Sequence, residues 1–340
     1  MAKKKSKKQA KAPKKIAKPK KAAAKLAKAK KAKSTTKKKS PILKIHHKTH
    51  IDEYTAKDIL WFRDLKKEDI PVVGGKGANL GEMFNHFQIP NGFCITVHGY
   101  RKFMEKTGIF AHVHGMLDKL DVEDTESLDK ISQKIRDLIL KPKFPADLKS
   151  EIISNYKKLA HKKVAVRSSA TAEDLPTASF AGQQDTYLDI EGESKVIDAV
   201  QRCWASLFTS RAIYYREKNN FKHRDVLISV VIQEMIDANF AGVMFTIDPV
   251  NKKFILVEIV EGLGEQLVSG MVTPNTYFIH RIDDQIMEES LQFGFDEKMV
   301  HEVARIGRKI EAHYKKPMDI EFAFKDKKLY ILQARPITTL

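Results

Sequence analysis

Residues 71–340 alternate helix-like periods of apolar residues with short runs that are typical of strands. Helical spacing dominates 99–162 and returns at 194–218. Breaks in the first of these segments are predicted at four residues: Gly108, Gly115, Pro142 and Pro145. Buried strands are predicted at four places: 94–97, 226–235, 241–246 and 254–259. Because helices and strands mix without strict βαβ alternation, the pattern predicts an α+β fold.

Two strands around a Lys-Asp-Lys-Lys turn are predicted at 319–324 and 329–336. Side chains alternate along a strand, so Asp319 and Glu321 share one face, and Gln333 and Arg335 share one face of the partner strand. In a hairpin with an odd loop length, Glu321 lies opposite Gln333 and Asp319 opposite Arg335. Oxygen ligands suit Mg²⁺ and a guanidinium suits phosphate, so a magnesium nucleotide is a natural ligand. The alternative is a solvated polar face of an edge hairpin.

A glycine-rich segment at 72–81 offers a second phosphate contact. It predicts a strand end at Val72 and Val73, a turn, and a helix that begins near Ala78. Glycine lets the backbone approach a ligand closely, and Lys76 could reach a phosphate. The spacing matches neither the P-loop nor the dinucleotide-binding motif. The alternative is a Gly-Gly turn with an exposed lysine.

A polar loop follows an apolar strand that ends in Arg167. About 14 small, hydroxylated and turn-forming residues come next, too polar and too small to fill a core. Such a loop is well suited to wrap an anion, with Arg167 as the charge and backbone N–H groups around it. Its length also predicts a mobile lid. The alternative is an ordinary surface loop.

The net charge of +18 comes from the first 40 residues, which hold 19 lysines and no acidic residue. The remainder has 42 basic and 43 acidic residues, so a near-neutral body carries a cationic arm. The Lys/Ala/Pro-rich segment 3–39 resembles the tails of histone H1-like proteins, and its like charges predict disorder. We expect non-specific contact with nucleic acid or another polyanion. The alternative is a solvated tail with no specific partner.

Cysteine content and hydropathy predict a cytoplasmic protein. Cys94 and Cys203 are the only two cysteines, too few for a metal site or a disulfide framework. No run of apolar residues is long enough to cross a membrane, and the N-terminus lacks the apolar core of a signal peptide. We therefore expect no membrane contact.

Six segments occur here in the order that one family has: 74–81, 164–182, 233–235, 242–249, 262–264 and 319–336. The loop Val-Arg-Ser-Ser-Ala-Thr-Ala-Glu-Asp-Leu-Pro and the ending Gln-Ala-Arg-Pro are specific. They resemble the N-terminal ATP-binding domain of phosphoenolpyruvate synthase, pyruvate phosphate dikinase and rifampin phosphotransferase. The loop is closer to the synthase and rifampin-enzyme branch. The resemblance covers about residues 60–340.

The resemblance implies an ATP-grasp fold, in which two α+β subdomains clasp a nucleotide. A lead-in at 41–70 would precede an N-terminal subdomain at 71–225 with the phosphate loop. A C-terminal subdomain at 226–340 would carry the metal-binding hairpin. Together with the disordered tail at 1–40, this gives four predicted regions.

Position by position, the resemblance also implies residue roles toward ATP. Lys76 and Arg167 would hold its phosphates, and Gly182 and Thr186 would line the loop over them. The hinge that meets adenine would comprise three consecutive residues: Gln233, Glu234 and Met235.

For the metal, the resemblance implies that Glu321 and Gln333 ligate Mg²⁺ with Asp319 assisting. Arg335 would brace the transferred phosphates. Lys76, Arg167 and Arg335 would thus be the catalytic charges of an ATP-dependent phosphotransferase of the kinase class. This agrees with the oxygen-ligand interpretation of the hairpin.

In the family, ATP gives its β-phosphoryl end to a histidine on a swivelling domain. None of the twelve histidines here lies in the Thr-Ser-His-Ala type of motif that marks this domain. The first hypothesis is therefore a phosphotransferase module that acts on a histidine of a separate partner protein. A second is a non-catalytic ATP-binding regulator that the basic tail tethers to nucleic acid. A third is that the sequence is a fragment of a longer product.

Overall fold

The computed structural model describes most of the body of the chain. The described residues are 57–160, 163–171, 174–175, 178–179, 185–268 and 270–337. The predicted disordered tail at 1–40 lies outside them, as do residues 41–56 of the lead-in.

The strands of the described residues are numbered here in chain order. They are β1 (Ile59–Trp61), β2 (Gly92–Ile95), β3 (Lys163–Ala170), β4 (Asp174–Leu175), β5 (Ala178–Ser179), β6 (Thr186–Glu191), β7 (Ile228–Glu234), β8 (Phe240–Phe245), β9 (Phe254–Glu261), β10 (Asn275–His280), β11 (Ile286–Ser290), β12 (Met318–Lys325) and β13 (Lys328–Pro336).

The helices are numbered in the same way. They are α1 (Ile70–Phe84), α2 (Val97–Lys106), α3 (Phe110–Leu117), α4 (Thr125–Leu140), α5 (Ala146–Tyr156), α6 (Glu193–Ser206), α7 (Ser210–Lys218), α8 (Glu265–Val268) and α9 (Glu297–Tyr314). Short 3₁₀ turns at Phe62–Asp64 and Lys67–Asp69 lead into α1.

Two antiparallel sheets organise these elements, in agreement with the predicted α+β class. The five-stranded sheet has the order β1-β2-β7-β3-β6, and the six-stranded sheet has the order β11-β10-β9-β8-β12-β13. Helix α1 contacts a strand of each sheet, β7 and β13. The glycine-rich segment inside α1 is therefore placed where both sheets are within reach.

Helices pack on each sheet, and the core consists of two apolar clusters, the second of which also includes residues of the five-stranded sheet such as Val231 of β7. On the first, helices α2 to α7 pack around Trp204 and Phe103, both fully buried, whose rings lie 4.7 Å apart. On the second, α9 covers β8, β9 and β12 and buries Val300 against residues such as Phe322. Burial of the apolar side chains in these clusters is the main contribution to the stability of the fold.

The helical segment largely agrees with its prediction. Interruptions fall near Gly108, which has φ +70°, and at Pro142 and Pro145. The predicted break at Gly115 is wrong, because this residue lies inside α3. One glycine costs an exposed helix only about 1 kcal/mol, which packing of Val113 and Leu117 in the core readily offsets.

The predicted strand before the glycine-rich turn is also wrong. Val72 and Val73 lie in the first turn of α1, and Gly74 interrupts the helix with φ 68° and ψ 174°. The helix then resumes before the expected start at Ala78. A buried apolar pair beside glycines is compatible with either element, so the local pattern could not distinguish them.

The subdomain boundaries stay a prediction. Strand β7, which begins after the predicted boundary at 225, pairs with β2 and β3 in the five-stranded sheet. Strand β1, from the predicted lead-in, pairs with β2.

Candidate nucleotide-binding site

A cavity of about 530 Å³ lies between the two sheets. Its walls come from β3, β6 and β7 of the first sheet and from β8, β12 and β13 of the second, and Lys76 of α1 also lines it. Two α+β units on either side of one cavity are the arrangement expected of an ATP-grasp fold. The volume is within the range of about 300–1,000 Å³ that small-molecule sites have.

Most of the residues predicted to bind the nucleotide line this one cavity. They are Lys76, Arg167, Thr186, Gln233, Glu234, Met235, Glu321, Gln333 and Arg335. Asp319 is placed beside Arg335, and Gly182 lies outside the described residues. The structure thus brings together side chains that are up to 259 positions apart in the sequence.

Arg167 projects from β3 as a buried cation with few partners. Its side chain is 9% exposed, and its Nη2 lies 3.9 Å from Glu321 Oε2, too far for a hydrogen bond. Nη1 donates to the carbonyl oxygen of Leu332 at 3.4 Å. Its Nε is buried without an acceptor among the described residues. A buried guanidinium with an unmet donor is suited to an anion.

The terminal hairpin has the predicted register, but a bulge produces it and not the length of the loop. Glu321 is paired with Gln333, and Asp319 with Arg335, as expected. The loop, however, is an even two-residue turn of Asp326 and Lys327, both with positive φ. A bulge between Glu321 and the following residue restores the odd offset.

This bulge also contributes to the site. Because Glu321 pairs with Gln333 while Phe322 pairs with Ile331, Leu332 is the extra residue on β13. The bulge leaves its carbonyl outside the regular ladder, and this carbonyl accepts the hydrogen bond from Arg167. The bulge at Leu332 therefore sets the register of the hairpin, and the Leu332 carbonyl contacts Arg167 on the opposite sheet.

Two polar pairs form the wall on the hairpin side. Gln333 Nε2 donates to Glu321 Oε1 at 3.1 Å, while the Nε of Arg335 donates to Asp319 Oδ2 at 2.8 Å. Burial raises the pKa of Asp319, and the neighbouring Arg335 opposes that rise. Glu321 is 28% exposed, and its Oε2 has no partner among the described residues within hydrogen-bonding distance. An oxygen of this kind is suited to a hard cation.

The glycine-rich segment is fixed to β3 by a buried serine. Ser169 Oγ donates to the carbonyl oxygen of Val73 at 2.8 Å and accepts from Gly77 N at 3.3 Å. Gly74 approaches the same serine so closely that an added Cβ would lie 2.3 Å from its Oγ. These contacts hold the backbone on both sides of Lys76.

The predicted adenine hinge is anchored through its polar atoms. Gln233 Nε2 donates to the carbonyl oxygen of Pro90 at 3.5 Å. Glu234 Oε1 accepts from Ala160 N at 2.6 Å, and Met235 N donates to the carbonyl oxygen of Lys163 at 3.0 Å. The segment is therefore held at a fixed position along the cavity wall.

Much of the cavity wall was not predicted because it is apolar. These residues include Ala165, Leu188, Ile236, Ala241, Val243, Leu263, Phe322 and Leu332. Their side chains are of the kind that fills a core, so hydropathy alone cannot separate the two roles. An apolar surface beside a charged end fits a flat aromatic base joined to a polyanion.

The site residues fit both ATP and a divalent ion. Among the described residues, Arg167 Nε has no acceptor, so an anion could accept its hydrogen bond. Glu321 Oε2 has no partner within hydrogen-bonding distance there, so it could bind a cation. Both groups line the same cavity.

Comparison with known proteins agrees with this geometry. The family described as pyruvate phosphate dikinase, AMP/ATP-binding domain, matches residues 70–293 and 287–340. The chain is 45% identical over 314 residues to a probable phosphoenolpyruvate synthase of Archaeoglobus fulgidus, covering 83% of this chain and 42% of that protein. It is 40% identical over 316 residues to the rifampicin phosphotransferase of Bacillus cereus, covering 83% of this chain and 36% of that protein.

A third relative is a probable phosphoenolpyruvate synthase of Methanothermobacter thermautotrophicus, 43% identical over 328 residues and covering 87% of this chain and 48% of that protein. The chain spans less than half the length of these three relatives. Among the residues that the structure describes, no helix has the length and apolar character needed to cross a membrane. This chain belongs to the family of pyruvate phosphate dikinase AMP/ATP-binding domains.

Proposed function

We propose that this chain binds Mg-ATP in the cavity between its sheets and transfers phosphate from ATP to a histidine of a separate partner. The observation that carries the proposal is a pair of complementary groups in one cavity. Among the residues that the structure describes, a buried arginine there has a donor without an acceptor, and a nearby glutamate has an oxygen with no partner within hydrogen-bonding distance. Membership in an AMP/ATP-binding family supports ATP as the ligand.

The proposed contacts to ATP divide the cavity lengthwise. Lys76, Arg167 and Arg335 would neutralise the phosphates. Thr186 and Gly182 would belong to the loop that covers them. Adenine would lie along the hinge segment: Gln233, Glu234 and Met235.

The proposed Mg²⁺ ligands are Glu321 and Gln333, with Asp319 assisting through its contact with Arg335. When bound, the ion would supply positive charge at the phosphate oxygens. The Gln333 amide holds Glu321 in place by a 3.1 Å hydrogen bond, which limits the reorganisation that binding requires.

Transfer needs positioning and charge more than covalent chemistry from the protein. The incoming histidine nitrogen forms a bond to the β-phosphorus of ATP while the bond from that phosphorus to the oxygen of AMP breaks, which leaves AMP and a pyrophosphoryl-histidine. A second transfer, of the terminal phosphoryl group to water, then releases phosphate and leaves phosphohistidine. The role of Arg167 and Lys76 is to offset the negative charge on the transferred group. The apolar part of the cavity excludes water, which would otherwise compete with histidine.

The partner and the transfer are tested by AMP release. The purified chain is mixed with Mg-ATP and proteins from the same genome that carry a Thr-Ser-His-Ala type histidine motif. We expect AMP to form together with an acid-labile phosphohistidine on the partner. A His→Ala variant of that partner is the control. If every candidate leaves ATP intact, the proposed transfer is wrong even where ATP binds.

Replacing Glu321 by glutamine should remove most of the rise in Tm that Mg-ATP produces. A ligand at 100 times its Kd stabilises a protein by about 2.7 kcal/mol, which differential scanning fluorimetry detects easily. The amide keeps the shape of the side chain but loses the charge that attracts the cation. ATP with EDTA should give similar small shifts in both proteins.

The matched control for this variant is Glu258→Gln. Glu258 pairs with Val243, the residue that also pairs with Glu321, but it does not line the cavity. Burial raises the pKa of Glu258, so its amide should be tolerated. An equal loss of the Mg-ATP response in both variants would contradict the assignment of Glu321.

We propose a cytoplasmic location for the protein, because two buried free cysteines agree with a reducing compartment.

For the tail at 3–39, we propose contact with nucleic acid or another polyanion, which its 19 lysines support. The logarithm of the DNA-binding constant of the full chain should fall with that of salt concentration, by about 0.9 per phosphate neutralised. A chain that begins at Pro41 should bind duplex DNA far more weakly at low salt; equal binding would reject the tail as the contact.

A further inference from the structure

Three metal-ligating side chains meet at a place that does not line the nucleotide cavity. They are Glu82, His86 and His313, and their ligand atoms all lie within 4.8 Å of one another. Glu82 is half-buried, while both histidines are exposed, so an ion from solvent can reach them. Nothing in the proposed phosphate transfer uses these residues.

The fold brings these residues together at the C-terminal ends of two helices. Glu82 lies in the last turn of α1, and His86 follows four positions later, just beyond its end at Phe84. His313 is the second-last residue of α9. Unpaired carbonyl groups give the C-terminal end of a helix a partial negative charge, which favours a cation. The C-terminal ends of α1 and α9 therefore both favour a bound cation.

Glu82 is oriented by contacts on both of its oxygens. Oε1 lies 2.7 Å from His313 Nε2, and Oε2 accepts a hydrogen bond from Lys67 N at 3.2 Å. In metal sites, a hydrogen bond of the second kind fixes the position of a ligating carboxylate. Burial opposes the change, but the contacts with His313 and Lys67 lower the pKa of Glu82.

The two imidazole rings are also held close to each other. Their centroids lie 5.0 Å apart, and Phe87 packs edge-on against His313 at 6.2 Å. The neighbouring Tyr314 hydroxyl donates to the carbonyl oxygen of Asn79 at 3.3 Å, which ties α9 to α1. These contacts therefore limit the orientations that the ring of His313 can adopt.

We propose that Glu82, His86 and His313 form a binding site for a divalent transition-metal ion, with Zn²⁺ as its best match. Two imidazoles and one carboxylate are a donor set that Zn²⁺ accepts, with solvent in the remaining position. Imidazole ligands disfavour Mg²⁺ and Ca²⁺. Zn–N and Zn–O bonds of about 2.0–2.2 Å require small side-chain movements from the present arrangement.

A metal at this place would link the helix that carries Lys76 to the helix that precedes the strand carrying Glu321. Helix α1 carries Lys76, and α9 leads through Lys315–Pro317 into β12, which carries Glu321. Binding to the folded state alone raises the free energy of unfolding. Zn²⁺ should therefore stabilise the protein in the absence of any nucleotide.

The test titrates the full chain with Co²⁺ and then Zn²⁺ without nucleotide. We expect visible absorption bands of cobalt with imidazole ligands, saturation at a single equivalent, and displacement by Zn²⁺ with a rise in Tm. His86→Ala should weaken metal binding by more than about 10-fold. Even the mutation of a residue that only contacts a metal ligand weakens metal affinity by about 10-fold or more. Because His86 is exposed, this variant should fold as the parent does, and circular dichroism checks that. Glu82→Gln provides a second removal of a ligand.

Two controls separate this site from other histidines. His301→Ala changes an exposed histidine elsewhere on α9, and a triple change of His46, His47 and His50 removes those before the described residues. Both should bind Co²⁺ as the parent does. The proposal is overturned if the parent shows no cobalt bands, if His86→Ala retains them at full affinity, or if the triple variant loses them.

Discussion

Replacing Arg167 by methionine should lower ATP-dependent transfer by about 10²–10³-fold, the loss typical when one preorganised donor is removed from a charged transition state. Arg167 is the cation that faces both the Leu332 carbonyl and Glu321 across the cavity. Methionine keeps the length of the side chain and removes every donor. AMP formation with the partner measures the loss, and the Mg-ATP-dependent rise in Tm measures binding without the partner.

The same variant should not be less stable than the parent without ligand. In the described structure, the guanidinium has one long hydrogen bond and a buried Nε without an acceptor. Replacing a poorly compensated buried charge by an apolar side chain is often neutral or stabilising by about 1 kcal/mol or more. If Arg167→Met loses transfer activity while its Tm without ligand is unchanged or higher, Arg167 contributes to ligand binding and not to the stability of the fold.

Arg202→Met is the matched control. Arg202 also has a buried Nε without an acceptor among the described residues, but its guanidinium stacks 4.3 Å from the centroid of Tyr187 and pairs with Asp198. It does not line the cavity. Its loss should leave the response to Mg-ATP intact. If Arg167→Met responds to Mg-ATP as the parent does, the proposed phosphate contact is wrong.

The hairpin shows which parts of such a site sequence can predict. Alternation along the strands, together with an assumed odd loop length, predicted Glu321 opposite Gln333 and Asp319 opposite Arg335, and both pairs are observed although the loop has an even length. The bulge at Leu332 was not predicted, because no Gly or Pro marks it. Its consequence, a carbonyl that accepts from Arg167, depends on a residue 165 positions away. Local pairing rules predict the face of a strand, whereas contacts between sheets require the fold.

The glycine-rich segment shows the opposite error. The sequence predicted a phosphate contact at Lys76, which lines the cavity and stays a prediction, yet it assigned a strand to Val72 and Val73, which lie in a helix. Tertiary contact with Ser169 decides the backbone there, and no local pattern contains it. The cluster of Glu82, His86 and His313 was missed for a related reason. Its members lie at or just beyond the C-terminal ends of two helices that are far apart in sequence, and no single motif contains all three.

Replacing Gly74 by alanine should be the most damaging small substitution in the site, with a loss of about 3 kcal/mol or more in the free energy of unfolding. Its φ of 68° and ψ of 174° belong to a region that is nearly restricted to glycine. An added Cβ would lie 2.3 Å from Ser169 Oγ and 2.4 Å from its backbone oxygen. Ser169 is fully buried within β3, so it cannot move aside cheaply.

The effect of the clash can be separated from the effect of backbone strain by Gly108→Ala. Gly108 has a similar φ of +70°, but no atom lies within 4 Å of the position of an added Cβ. It should lose only the left-handed penalty of about 1–2 kcal/mol. Thermal unfolding should therefore show a drop of roughly 10 °C for Gly74→Ala and a much smaller one for Gly108→Ala. Because Ser169 also holds the backbone beside Lys76, the Gly74 variant should lose its response to ATP at temperatures where it is still folded. Equal losses of stability in the two variants would mean that the Ser169 contact relaxes freely and does not fix the position of Lys76.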